Sequence, residues 1–197
     1  MRYRTLVSAA LTFGLATSGL AQSARWEIDP AHSNASFTVR HMMVSNVRGE
    51  FAKLNGGVDV VGDDPTTAKV AVTIDAASIS THEPKRDAHL RSADFFDVEK
   101  FPTMSFVSTG VSKVDGGNFT VKGDLTLHGV TKPVELAAEF LGRAKDPWGG
   151  ERAGFSAKGT INRKDFGLLW NRALEAGGVL VGDEVLITLD VELIRKV

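Results

Sequence analysis

The chain has no cysteine. Disulfides, thiol catalysis and Cys-ligated zinc are excluded, and a folded domain must be held by its own core. Charge of one sign is lacking too: 23 Lys and Arg against 24 Asp and Glu leave a formal net charge of −1. Nucleic-acid binding calls for a basic face, and this balance supplies none. Beyond the N-terminus no apolar run is long enough to read as a membrane-spanning helix. G-x-S-x-G, H-E-x-x-H and G-x-x-x-x-G-K-[ST] are also missing, so no hydrolase elbow, zinc protease or phosphate loop is announced. No internal repeat or low-complexity stretch occurs. What is present is 197 residues, 43% hydrophobic and 24% charged. That is enough for one domain with a real core.

The first residues differ from the rest. Arg2 and Arg4 precede an apolar run from Leu6 to Ala16, and small residues surround Ala21. A positive start, a short apolar stretch and a small-residue exit describe a secretory leader. Residues 1–21 are read as a signal peptide and 22–197 as one exported domain, expected in the periplasm, with the extracellular space as the alternative.

That domain reads as β-strand by period-two alternation. Eight apolar faces are visible: Ala35, Phe37, Val39 and His41; Val47 through Phe51 to Val60, with a bend at Asn55-Gly56-Gly57; Ala68 to Ile74; Met104 and Phe106; Phe119 to Leu127; Val134 to Phe140; Ala153 to Ile161; and Val185 to Leu193. One stretch breaks the pattern. Lys85, Arg86, His89 and Arg91 follow Pro84 and lead into Phe95, Phe96, Phe101 and Phe106, a helical crossover expected at the mouth of a barrel. A second short helix is expected within Phe166–Ala176, ending at Gly177-Gly178. Eight antiparallel strands with one apolar face each suit a closed, all-β up-and-down barrel, which leaves no exposed edge. Such a barrel is either packed solid or holds one small ligand. Small residues recur on the inward face, at Ala35, Gly49, Ala68, Gly123, Ala138, Ala153, Ala157 and Gly159, and point to a hollow interior.

Candidate chemistry is sparse. By parity His41 points inward, where it either meets a polar ligand head or is satisfied by backbone at the strand end. Lys85, Arg86, His89 and Arg91 would suit a phosphate by forked hydrogen bonds, or form a solvated helix face. Five histidines without i, i+2 or i, i+4 pairing make a weak metal case. No catalytic residue, metal ligand or cofactor is assigned.

Several runs resemble one family. His32-Ser33 with Phe37-Thr38-Val39-Arg40-His41, Lys85-Arg86-Asp87-Ala88-His89-Leu90 with Asp94-Phe95-Phe96-Asp97, Gly123 through Pro133, and Ile161-Asn162-Arg163 with Asp165-Phe166-Gly167 resemble the YceI-like family of polyisoprenoid-binding, lipocalin-like proteins. One departure is Ala35, where members more often carry a larger β-branched residue, leaving extra room near His41. The resemblance implies an eight-stranded barrel whose pore holds a long amphiphile, and family ligands such as polyprenyl phosphates, isoprenoid quinones or fatty amides. It carries no catalytic mechanism. The expected function is an exported, non-enzymatic binding protein for an isoprenoid-type lipid, serving transport, storage or sequestration. Its pore wall would comprise Phe37, Val39, Phe51, Phe95, Phe96, Phe106, Phe119, Phe140 and Phe155, and its head-group residues Arg40, His41, Arg86 and His89. Contact with a membrane would be transient, and a homodimer is compatible with this reading. The rivals are a quinone-linked redox accessory with His41 as proton relay, and a metal-binding stress protein using His41, His89 and His128.

Overall fold

The computed structural model describes residues 23–113, 115–175 and 177–196, so the leader read at 1–21 lies outside the described residues. In chain order the strands are β1 (Ser23–Ile28), β2 (Asn34–His41), β3 (Ser45–Phe51), β4 (Leu54–Val61), β5 (Lys69–Asp75) and β6 (Ile79–Ser80). Helix α1 (Pro84–Arg91) follows, then β7 (Thr103–Lys113), β8 (Asn118–Leu127), β9 (Val130–Lys145), β10 (Glu151–Asn162) and β11 (Val181–Lys196).

These elements close into eight antiparallel staves. β1 and β2 are one interrupted stave: β1 pairs with β11 from Arg25↔Lys196 to Ile28↔Leu193, and β2 continues along the same strand from Asn34↔Asp190 to His41↔Val181. Ser33 stitches the interruption, its hydroxyl accepting from Glu192 N at 3.0 Å and donating to Glu192 O at 3.3 Å. β3 and β4 form the next stave, and the β1–β4 and β1–β11 pairings close the ring. No long edge is left open for another chain to pair with.

Strand β1 escaped the alternation reading above. Ala24, Trp26 and Ile28 alternate with Arg25 and Glu27, but the run is short and abuts the leader. Trp26 is buried. The break in the second stave falls at Ala52–Lys53, earlier than the expected bend at Asn55-Gly56-Gly57. Gly56 and Gly57 have a different use inside β4. A Cβ on either would strike the backbone of a neighbouring strand, at the Ala71 and Trp26 carbonyl oxygens respectively.

The second helix is a correction. It is a single 3-10 turn, Arg163–Phe166, capped by the Asn162 side chain and ended by Gly167 at φ 79°. Residues 167–175 are not helical. The reason is competition for their backbone. Arg163 Nη1 donates to the carbonyls of Leu168 (2.5 Å) and Trp170 (2.9 Å), and Asn171 pairs through its side-chain amide with both N and O of Val181. Carbonyls committed to a side chain cannot accept the i+4 amides of a helix.

Helix α1 is anchored rather than solvated. Glu83 caps its start, accepting from Lys85 N and Arg86 N. Buried Asp87 accepts from Thr81 N and Oγ1, while Arg86 donates to Thr81 Oγ1 and O, and Arg91 donates to the carbonyls of Ala77 and Ile79. β6 is two residues long, so these side chains supply partners its neighbouring backbone would otherwise lack.

Candidate ligand cavity

The inward faces enclose a cavity of about 1070 Å³. Its wall carries Phe37, Val39, Phe51, Phe95, Phe96, Phe106, Phe119, Phe140 and Phe155. Alternation brings them together, since every second side chain of a stave faces the same interior. Trp26, on the strand that the alternation left out, also lines it. Gly49 and Gly123, read as hollowing the barrel, do the opposite locally. The Phe37 ring occupies the place of a Gly49 side chain, and the Phe106 ring that of Gly123. The glycines seat aromatic rings flat against the wall. Ala138 and Ala157 remain open wall positions.

The two ends of the cavity differ. At one end the crossover folds inward as a plug: Phe51, Phe95, Met104, Leu127, Phe166 and Leu168 form one buried cluster with Phe96 and Leu90 packed on it. Phe96 meets Phe51 edge-on at 5.6 Å. The crossover was expected at a mouth, and the packing makes its end the closed one. Phe95 and its apolar neighbours are more stable buried against this cluster than exposed at an opening.

At the opposite end the wall becomes charged. Arg143, Glu151, Arg195 and Asp63 line it, and their exposure shows that the cavity reaches solvent here. Glu151 Oε2 accepts from Arg143 Nη2 at 3.0 Å and Arg195 Nη1 at 2.7 Å. These two guanidiniums, Arg195 foremost, hold the Glu151 carboxyl below its ordinary range. Arg143 Nη1 also reaches Asp63 at 3.3 Å, and its guanidinium lies 4.9 Å from the Trp26 ring. The sequence carries a faint sign of this rim: Arg143, Glu151 and Arg195 sit where long strands outrun their apolar faces.

The four expected head-group residues are not gathered at the cavity. Arg40 is exposed on the outer face and closes the β2–β3 hairpin through Asn46 Oδ1 and Met43 O. Parity assigned it there, since it alternates with Val39. His41 ends β2 opposite Val181, and Ala35, at the other end of that strand, packs beside Phe51 and Leu189. The extra room expected near His41 is therefore not adjacent to it. Arg86 is committed to Thr81, as above. His89 bonds Asp94 Oδ2 at 2.7 Å and stands edge-on to Trp170 at 4.8 Å.

Metal-ligand geometry is confined, among the described residues, to Asp29, His32 and Glu192. A guanidinium already serves that group. Asp29 Oδ2 accepts from Arg152 Nη1 at 2.7 Å and sits 2.8 Å from His32 Nδ1, and Arg152 Nη1 also bonds Glu192 Oε1. His41, His89 and His128 are not part of it. The His32 bond, followed by that of Arg152, draws the Asp29 carboxyl down to about 2. This is a structural knot tying the β1–β2 interruption to β10 and β11.

A family model for the YceI-like domain matches residues 26–193. The chain belongs to the YceI-like family. A UPF0312 protein of Pseudomonas paraeruginosa is 40% identical over 198 residues, covering 100% of both chains. BcnA of Burkholderia cenocepacia shares the YceI-like fold with a TM-score of 0.73 at 22% identity, over 84% of this chain and 98% of that one. A polyisoprenoid binding domain from Saccharophagus degradans, implicated in plant cell wall breakdown, superposes with a TM-score of 0.64 at 17% identity, over 90% and 99% of the two chains. Among the described residues of this YceI-like chain, no helix is long and apolar enough to cross a membrane.

Proposed function

We propose that the protein is an exported carrier that holds a long isoprenoid-type amphiphile, a polyprenyl phosphate or an isoprenoid quinone, in the barrel cavity. The observation that carries this reading is the cavity itself: about 1070 Å³, walled by aromatic and aliphatic side chains, with exposed charged groups at one end. Sites for drug-sized ligands run from about 300 to 1,000 Å³, so this one stands at the top of that range, with room for a long chain. Each methylene buried contributes roughly 0.8 kcal/mol, which makes tight binding attainable without a catalytic group. Membership of the YceI-like family and the polyisoprenoid-binding neighbour support the same ligand class. The leader-like residues 1–21 would deliver the protein to the periplasm.

Native mass spectrometry of the mature protein from its own compartment, followed by organic extraction, tests the proposal. A stoichiometric prenyl-chain adduct is the expected result. A bare polypeptide mass that takes up neither added polyprenyl lipids nor quinones would refute it.

A further inference from the structure

The charged groups on the cavity wall are Asp63, Arg143, Glu151, Arg163 and Arg195 among the described residues. Arg163 has nothing to offer a ligand. Its five N–H donors go to the carbonyls of Gly182, Leu168, Trp170 and Val181 and to Asp183 Oδ1. The other four groups all stand at the open rim. Arg195 spends one nitrogen, Nη1, on Glu151, and Arg143 spends Nη1 and Nη2 on Asp63 and Glu151. Both guanidiniums keep unused donors.

Arg143 and Arg195 equal Glu151 and Asp63 in formal charge, but the pairing is uneven. Two guanidiniums share a single oxygen of Glu151, so this triad carries one net positive charge. Asp63 offsets it only loosely: its side chain is 93% exposed and its contact with Arg143 is 3.3 Å. An ion pair that exposed contributes little and yields readily to a better acceptor. Arg143 is further held in place over the Trp26 ring, so its fork is oriented before any ligand arrives. A tail lying against the aromatic plug would leave its polar end beside these two arginines.

We propose that Arg143 and Arg195 form the head-group site, and that it selects an anionic head, phosphate or carboxylate, over an uncharged one such as an alcohol or a quinone. The inference rests on the reading of the cavity as a lipid site, and it chooses between the two ligand classes left open there. Planar guanidiniums match the oxygens of either anion by forked hydrogen bonds. A quinone or alcohol would offer these unused donors no charged acceptor.

The test compares affinities within pairs matched in tail: polyprenyl phosphate against polyprenol, and a long-chain fatty acid against its fatty alcohol. In the unaltered protein the charged member of at least one pair should bind about tenfold tighter, as expected for a charge-assisted hydrogen bond. The pair that shows the preference identifies the head as phosphate or carboxylate. In Arg143→Gln/Arg195→Gln the ratio should fall towards one, and Arg143→Lys/Arg195→Lys should restore part of it. Arg195→Gln alone, which removes one exposed ion pair, serves if the double variant is unstable, and should lower the ratio. Equal affinities within both pairs, or a preference that survives the Gln substitutions, would overturn the head-group site while leaving the lipid reading intact. Failure of all four ligands to bind would overturn both.

Discussion

At the scale of single residues, the polar groups that matter are those that organise backbone. Arg152 links Asp29, Asp146 and Glu192, and with His32 it lowers the Asp29 carboxyl from an ordinary 3.8 to about 2. A carboxyl depressed in the folded state adds stability above its unfolded value and loses it as pH falls through the folded one. Thermal melts should therefore show Tm dropping between about pH 4 and pH 2, and Arg152→Gln should flatten that drop. A variant melting with the parent's acid profile would show that the knot does not couple to folding. Arg163 is the second case, and burial pushes its guanidinium pKa down. Arg163→Met would strand carbonyls at Leu168, Trp170 and Gly182 at about 1–3 kcal/mol each. Urea unfolding should show a midpoint well below that of the parent.

At the scale of elements, strands β8 to β10 set the bore of the cavity. Ala157 on β10 and Ala138 on β9 face open space, so Ala157→Trp should block uptake of a prenyl ligand while the far-ultraviolet spectrum stays that of a barrel. Gly123 on β8 gives the contrasting outcome. Its side-chain place holds the Phe106 ring, so Gly123→Val should cost about 1–3 kcal/mol by overpacking, read as a lower unfolding midpoint. Helix α1 is held against the barrel because Asp87, Arg86 and Arg91 tie it to β6 and its flanks. Those residue types were visible in the chain, but their partners are mostly backbone groups of residues 77–81. Nothing in a run of basic residues distinguishes anchoring from anion binding.

At the scale of the molecule, closure at the charged end of the barrel rests on a four-residue seam. Arg25, Trp26, Glu27 and Ile28 pair with the last turn of chain from Lys196 back to Leu193. Ending the chain after Leu193 would remove most of this register and expose β1 as an edge. Hydrogen exchange should then rise in β1 and along the end of β4 paired with it. Unchanged protection there would mean the seam is held from the β4 side alone. The truncation also removes Arg195, so it would not be a clean probe of ligand binding.

The number of staves, their order and which side chains face inward were legible because antiparallel barrels impose period two on residues close in sequence. Val185 to Leu193 alternate whatever lies across from them. The short β1 was missed because six residues beside a leader carry too little of that period. The cavity's polarity was barely legible. Arg143, Glu151 and Arg195 converge only when β9, β10 and the C-terminal end of β11 lie side by side, and Asp63 joins from the turn after β4. Likewise, Arg86 and His89 could not be removed from a ligand site until Thr81 and Asp94 were placed against them. Local periodicity belongs to the chain itself, whereas which end of the barrel is plugged and which is charged depends on contacts between residues as distant as 63 and 143.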